Sequence, residues 1–122
     1  MSRLLPFEVG DELVNRQSYG EALGKYQEAW ALLPEPKENW DAALWIKSGL
    51  GDAHFFKRKY LLAAGAFDEA ATKLGGLGNP FVHLRLGECH YELGDLKAAA
   101  DELTRAYVGA GREIFRMKTR SI

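Results

Sequence analysis

Three segments of the chain repeat one pattern of small residues, and this pattern constrains the fold more than any other feature. Each segment contains a glycine, an alanine twelve residues later, and a second alanine seven residues after the first. The glycines are Gly10, Gly51 and Gly87, and the alanines are Ala22 and Ala29, Ala63 and Ala70, and Ala99 and Ala106. Small residues at such spacing let two antiparallel helices cross closely. The pattern therefore predicts three helix-turn-helix units.

A bulky residue lies between the two alanines of each unit. These residues are Tyr26, Phe67 and Leu103. Large side chains beside small ones fill the space at a helix crossing. We predict six helices with the bounds 6–16, 20–33, 38–57, 60–73, 80–93 and 96–109. Asn79 and Pro80 suit the start of the fifth helix, because asparagine caps helix N termini and proline favours the first helical position.

The order of glycine, alanine, bulky residue and alanine resembles the tetratricopeptide repeat (TPR), and the third unit, 86–100, is the closest match. The resemblance implies an all-α fold, in which three TPR helix-turn-helix repeats form a short right-handed solenoid with a concave groove. The TPR period is about 34 residues. The glycines here are 41 and 36 residues apart, so we assign the extra residues to the links 33–40 and 74–80. We divide the chain into a three-repeat TPR domain, 1–111, and a basic C-terminal tail or partial capping helix, 112–122.

Composition limits the compartment and the partners. The chain of 122 residues has a formal net charge of −1, which favours neither nucleic acid nor an anionic membrane as a partner. The single cysteine, Cys89, excludes an intramolecular disulfide and fits a reducing compartment. Neither a signal peptide nor an apolar stretch of membrane-spanning length is recognisable. We therefore expect a cytoplasmic protein that binds no nucleic acid and no membrane.

The sequence contains no pattern typical of catalysis, a metal or a cofactor. The glycine-rich stretch 75–80 lacks the lysine and hydroxyl residue of a phosphate-binding loop, and we interpret it as an inter-repeat turn. His83 and His90 have no third metal ligand at suitable spacing. Cys89, next to His90, has no recognisable orienting group, which favours a small buried thiol over a nucleophile. We predict a protein that is not an enzyme and that uses no metal or cofactor.

An acidic residue follows each repeat glycine: Asp11, Asp52 and Glu88. In the TPR fold this position lies on the concave groove, so the resemblance implies an acidic ladder there, flanked by aromatic residues, with Arg85 at its margin. We predict these partner-binding residues: Phe7, Asp11, Asn15, Trp45, Asp52, Phe55, Phe56, Phe81, Arg85, Glu88, Tyr91 and Glu92. The alternative is that several aromatics pack between repeats and that the acids only keep the surface solvated.

The residue types on this face indicate the kind of partner. Aromatic residues are enriched at interface hot spots, and an acidic groove favours a protein partner with a basic surface. TPR proteins that grip a chaperone's C-terminal carboxylate place lysine, arginine and asparagine on this face. The equivalent places here hold Phe7, Asp11, Ser48, Asp52 and Leu84. We therefore exclude a co-chaperone of that type.

Three stretches, 32–46, 75–89 and 106–115, narrow the resemblance. They are similar to segments of small bacterial TPR proteins that serve as immunity proteins, encoded beside polymorphic or contact-dependent toxins. This resemblance implies a protein that binds and neutralises a cognate toxin through its concave surface. The basic ending 116–122 departs from the acidic, aromatic ending of that group. A general TPR adaptor or secretion chaperone, which binds a peptide segment of a partner, is the alternative.

Overall fold

The computed structural model describes residues 4–110, and in this range the chain forms helices and no strands. The α-helices are α1 (Pro6–Asn15), α2 (Tyr19–Leu32), α3 (Asp41–Phe56), α4 (Tyr60–Lys73), α5 (Pro80–Glu92) and α6 (Leu96–Ala110). The predicted all-α class is confirmed, and every helix bound lies within three residues of its predicted position. The predicted tail, 112–122, lies outside the described residues.

Consecutive helices pack as three pairs, α1 with α2, α3 with α4, and α5 with α6. In each pair the repeat glycine of the first helix faces the bulky residue of the second. The facing residues are Gly10 and Tyr26, Gly51 and Phe67, and Gly87 and Leu103. A Cβ at any of these glycines would lie 2.7 or 2.8 Å from the facing side chain, which is too close for a real contact. Glycine is therefore required for these helices to approach as closely as they do.

The six repeat alanines are buried, as predicted, with exposures of 0–5%. The four alanines of the first two pairs belong to two clusters of buried side chains in the core. One cluster centres on Tyr26 and Ile46 from α2 and α3, and the other on Phe67 and Cys89 from α4 and α5. The core thus joins the second helix of one pair to the first helix of the next, which makes the three pairs one continuous stack of neighbours.

The turn inside each pair has the same backbone conformation. One residue in each turn has a positive φ: 63° at Gln17, 63° at Arg58 and 84° at Gly94. The residue that follows it donates a backbone hydrogen bond to a carbonyl five positions earlier, as in Ser18 to Leu13 and Lys59 to His54. This pattern is the Schellman motif, which ends a helix on a left-handed residue. The first two turns adopt it without the glycine that identifies the third.

The link between the first two pairs corrects the predicted start of α3. This helix begins at Asp41 and not at residue 38, because Lys37–Asn39 form a separate short 3₁₀ turn. The Lys37 ammonium donates to the backbone oxygens of Trp30 (2.9 Å) and Leu33 (2.7 Å). These carbonyls lie at the end of α2, where a helix lacks its own donors, so Lys37 caps α2 instead of entering α3.

Hydrogen bonds of two side chains, Asn79 and His83, stabilise the link between the last two pairs. The Asn79 side chain accepts hydrogen bonds from the backbone nitrogens of Phe81 (2.9 Å) and Val82 (3.4 Å), which confirms the predicted N-cap of α5. His83 is buried; its Nε2 donates to the Leu77 carbonyl at 2.5 Å, and its Nδ1 lies 2.6 Å from Glu102 Oε2 in α6. His83 thereby joins the link to the last helix, a role that the sequence pattern did not indicate.

Candidate functional site

The first helices of the three pairs lie side by side, since α1 contacts α3 and α3 contacts α5. Between them lies a cavity of about 390 Å³, which we call the first-helix cavity. Its lining residues are Phe7, Asp11, Val14, Asn15, Tyr26, Trp45, Ser48, Gly49, Asp52 and Phe81. Six of the twelve predicted partner-binding residues are in this lining, so residues far apart in sequence share one site.

The walls of the first-helix cavity include aromatic rings that are open to solvent. Trp45 is 64% exposed and Phe81 is 52% exposed, whereas Phe7 is half-buried. Large aromatic side chains at such exposure do not contribute their full area to the core. Their rings are therefore free to contact another molecule.

Arg85 lies beside this cavity and is central to the face instead of marginal. Its Nε donates to Asp52 Oδ1 at 2.7 Å, and its Nη1 donates to Glu88 Oε1 at 2.9 Å. The guanidinium also lies 5.2–5.5 Å from the ring centroids of Phe55, Phe56 and Phe81. We call these six residues the Arg85 cluster. The Arg85 side chain is only 12% exposed. Cation–π contacts and charge-assisted hydrogen bonds stabilise its charge in this largely buried position.

These contacts distinguish the three carboxylates of the predicted acidic ladder. Its three carboxylates are not equivalent, because Asp52 and Glu88 are partly buried and both are paired with Arg85. Asp11 is exposed, yet it accepts a hydrogen bond of 2.5 Å from the Tyr26 hydroxyl, which belongs to the second helix of its own pair. The ladder therefore has an internal counter-ion at one end and a neutral donor at the other.

The burial of these groups changes their titration. Burial raises the pKa of Asp52 above its ordinary value, the Glu88 and Asp11 charges add to the rise, and Arg85 opposes it. Burial alone would lower the pKa of Arg85, but pairing with Asp52 and Glu88 raises it. Burial, with the hydrogen bond to Asp11, also raises the pKa of Tyr26. The arginine and the tyrosine thus keep their protons over the physiological range.

The remaining predicted residues differ in their surroundings. Phe55 packs against the core and meets the Tyr60 ring edge-on at 5.5 Å, and Phe56 stacks on Tyr19 at 5.3 Å. Both rings therefore also serve packing, as the alternative interpretation expected of some aromatics. Tyr91 and Glu92 are exposed at the end of α5, and neither lines the cavity nor joins the Arg85 cluster. Their contact with a partner stays a prediction.

Four lining residues are outside the predicted partner-binding set: Val14, Tyr26, Ser48 and Gly49. Tyr26 and Gly49 are the two whose contacts join neighbouring helices. The Tyr26 ring packs between α1 and α3, where a Cβ on Gly49 would lie 2.5 Å from it. The hydroxyl was the available signal, because Tyr26 is the only tyrosine at the bulky repeat position and a buried phenol needs a partner. Gly49 gave no signal of its own, since its role depends on which helix lies opposite.

His83 and Cys89, which could carry other chemistry, do not line this cavity. Both ring nitrogens of His83 have partners, and the fully buried Cys89 thiol has its pKa raised to about 12 by burial. Between residues 4 and 110, no cluster of three or more His, Cys, Asp or Glu residues is placed to hold a metal ion. No helix in the same range combines the length and hydrophobicity that crossing a bilayer requires.

Two further cavities, of about 510 and 400 Å³, lie beside Trp30 between α2 and α4. Lys47 lies over the Trp30 ring at 4.0 Å and pairs with Glu69 at 2.6 Å. The larger of these cavities is lined by charged residues of both signs, among them Lys37, which caps α2. The first-helix cavity differs in that, within residues 4–110, its charged lining residues are the two aspartates Asp11 and Asp52.

No protein-family model and no curated protein matches the sequence of the chain. The function is therefore inferred from the side chains of the first-helix cavity and the Arg85 cluster.

Proposed function

We propose that this protein is a protein-binding module, and that its first-helix cavity contacts a partner with a basic surface. The observation that carries the proposal is the pairing of exposed rings, Trp45 and Phe81, with the carboxylates of Asp11 and Asp52 around one cavity. Aromatic side chains in such a position are typical of interaction hot spots. The carboxylates favour a cationic partner, which they attract over a distance and orient on contact.

We further infer that the three helix pairs are TPR repeats stacked as a right-handed solenoid. This inference is supported by the glycine–bulky residue contact and the Schellman turn, which recur at the same positions in each pair. In a TPR solenoid the first helices line the concave groove, and concave surfaces are where such proteins bind. The first-helix cavity lies on the corresponding helices.

The particular function we propose is that of a bacterial immunity protein, which neutralises a cognate toxin in the cytoplasm. The ground for this proposal is the resemblance of the stretches 32–46, 75–89 and 106–115, as interpreted from the sequence, to proteins of that class. The chemistry of the cavity is compatible with it, because a toxin that acts on nucleic acid has a basic surface, which acidic side chains would cover. Neutralisation then requires no catalysis by the immunity protein, only tight occupancy.

The test is to capture the partner from the native cell, purify it, and compare its affinity for four forms of the full chain. These forms are the wild type, Trp45→Ala, Asp11→Lys and Glu12→Lys. We expect the first two variants to weaken binding by about 30-fold each, which is about 2 kcal/mol and the size of a hot-spot loss. Glu12→Lys is the matched control. Glu12 is exposed, is adjacent to Asp11 in sequence and does not line the cavity, and its substitution changes the charge by the same amount.

The same variants separate neutralisation from binding alone. In cells that express the captured partner, the wild type and Glu12→Lys should restore growth, whereas Trp45→Ala and Asp11→Lys should not. Wild-type affinity in both cavity variants would place the binding site elsewhere on the molecule. If the partner requires the cavity for binding but is harmless to cells, the toxin-neutralising function is wrong. The proposal of a protein-binding module then stands.

A further inference from the structure

The repeat relates Arg85 to Gly49. Each residue lies two positions before a repeat glycine, Arg85 before Gly87 and Gly49 before Gly51. Arg85 is paired with the acidic residues that follow two successive repeat glycines, Asp52 and Glu88. One repeat earlier, the corresponding acidic pair is Asp11 and Asp52, and both line the first-helix cavity. At the position equivalent to Arg85, the earlier repeat has Gly49, which has no side chain and supplies no cation.

The surroundings of the two positions also correspond. The guanidinium of Arg85 lies near the rings of Phe55, Phe56 and Phe81. Moved back by one repeat, these positions are Val14, Asn15 and Trp45, and all three line the first-helix cavity. The cavity is therefore the counterpart of the Arg85 site. It has the equivalent acid pair, an aromatic ring at one of the three ring positions, Trp45, and no arginine.

We propose that the first-helix cavity binds the guanidinium of an arginine side chain supplied by the partner protein. Asp11 and Asp52 each accept one described hydrogen bond through Oδ1, from Tyr26 and Arg85. A carboxylate has about four acceptor positions, so both retain capacity for further donors. Arg85 is shared between Asp52 and Glu88, which leaves the cavity with excess negative charge.

Arginine suits this cavity better than lysine for two reasons. The planar guanidinium has donors that reach two carboxylates at once, and its flat face stacks on an aromatic ring such as Trp45. The Arg85 site shows that this protein accommodates a guanidinium between an equivalent pair of acidic residues. The proposal rests on the proposed protein-binding function for the source of the arginine, but not for the chemistry of the site.

The test is a titration of the isotope-labelled full chain with N-acetyl-arginine amide, observed by NMR. We expect saturable shifts of the Trp45 indole N–H and the Gly49 amide. N-acetyl-citrulline amide has nearly the same shape but no charge, and it should leave both signals in place. N-acetyl-lysine amide should bind at least threefold more weakly than the arginine compound. Equal shifts with citrulline, or tighter binding of lysine, would overturn the proposal.

Variants locate the binding in the cavity. Asp11→Asn and Trp45→Ala should each weaken arginine binding at least fivefold, while Glu12→Gln, with the same change of charge on the same helix, should have no effect. Unchanged affinity in Asp11→Asn would overturn the proposal. Gly49→Arg is unsuitable as a test, because a Cβ at this position would lie 2.5 Å from the Tyr26 ring. The amide signals of α6 serve as the check that each variant is folded.

The chain itself contains another source of arginine, in residues 112–122. Substituting glutamine for Arg112, Arg116 and Arg120 in the full chain should leave the Trp45 indole signal unmoved when no probe is present. A shift would mean that the chain fills its own cavity, and the inference of a partner's arginine would be overturned.

The probe titration needs no partner, so it separates this inference from the proposed function. If the probe fails to bind while Trp45→Ala still loses the captured partner, the arginine site is wrong and the binding module stands. If the probe binds while cavity variants keep the partner, the cation site stands and the proposed function is wrong.

Discussion

Arg85 lies between two carboxylates and beside three phenyl rings, with its side chain 12% exposed. An arginine in this position contributes to the stability of the fold. Its removal would leave Asp52 and Glu88 close together and partly buried, without the charge that compensates them. Breaking a buried ion pair on one side is costly, because the remaining charges lose their partner.

We predict that Arg85→Gln lowers the free energy of unfolding by about 2 kcal/mol at pH 7 and by clearly less at pH 4. Burial, together with the Glu88 and Asp11 charges, already raises the pKa of Asp52, and the variant removes the arginine that opposes this rise. An acid whose pKa is raised by folding destabilises the folded state above that pKa. The penalty disappears as the pH falls through it.

Urea unfolding at the two pH values provides the measurement. The double variant Arg85→Gln with Asp52→Asn is the control, because it removes the stranded carboxylate and should recover part of the loss at pH 7. An equal loss at both pH values would mean that Arg85 stabilises the fold through packing of its side chain and not through its charge.

At the scale of the helices and their turns, the three pairs form the same turn with different residues. Each pair ends its first helix on a left-handed residue, and only the third uses glycine there. A residue with a Cβ pays a conformational cost in this region, roughly 1–2 kcal/mol, that glycine avoids. The turns at Gln17 and Arg58 are therefore held by the packing of their helix pairs against this cost.

We predict that Arg58→Gly raises the free energy of unfolding by roughly 0.5–1 kcal/mol, because it relieves the strain but adds freedom to the unfolded chain. Arg58 is exposed, so the change removes no buried contact. Gly94→Ala, at the same repeat position, should lower the free energy of unfolding by a similar amount. Thermal and urea unfolding of the two single variants measure the difference. Destabilisation by Arg58→Gly would show that its side chain stabilises the turn.

The helices were predictable from sequence because their signals are local. Glycine and alanine at fixed spacing identified the crossings, and Asn79 with Pro80 identified the start of α5. The start of α3 was wrong because Lys37 caps α2 through carbonyls four and seven residues away, a choice that no helical periodicity records. The prediction failed because the sequence pattern assigned Lys37 to α3, whereas in the structure its side chain caps α2.

The candidate site was predictable only in part, for the same reason. Repeat position alone placed Asp11, Asp52 and Glu88 on one face, and six predicted residues do line the first-helix cavity. It could not show that Arg85 reaches Asp52, which is 33 residues earlier in the chain, because that contact depends on the distance between neighbouring pairs. The pairing of the acids, and not their position, is what the sequence left unresolved.

At the scale of the whole molecule, charge is unevenly distributed although the net charge is only −1. The first-helix cavity has two carboxylates, and residues 112–122 contain Arg112, Arg116, Lys118 and Arg120 with a single acid, Glu113. A basic partner is therefore attracted by the cavity while the tail repels it. The field that a partner meets on approach depends on both regions, and salt screens each of them.

We predict that the association rate constant of the captured partner falls at least threefold when the ionic strength is raised from about 0.05 to about 0.5 M, because screening at these concentrations shortens the reach of the cavity's field. Asp11→Asn should reduce both the rate at low salt and its dependence on salt. Replacing the three tail arginines with glutamine should raise the rate at low salt, since it removes repulsion. Stopped-flow mixing of each full-length form with the partner measures these rates. An association rate that is independent of salt in the wild type would mean that the partner is held by the aromatic rings alone, without attraction by the aspartates.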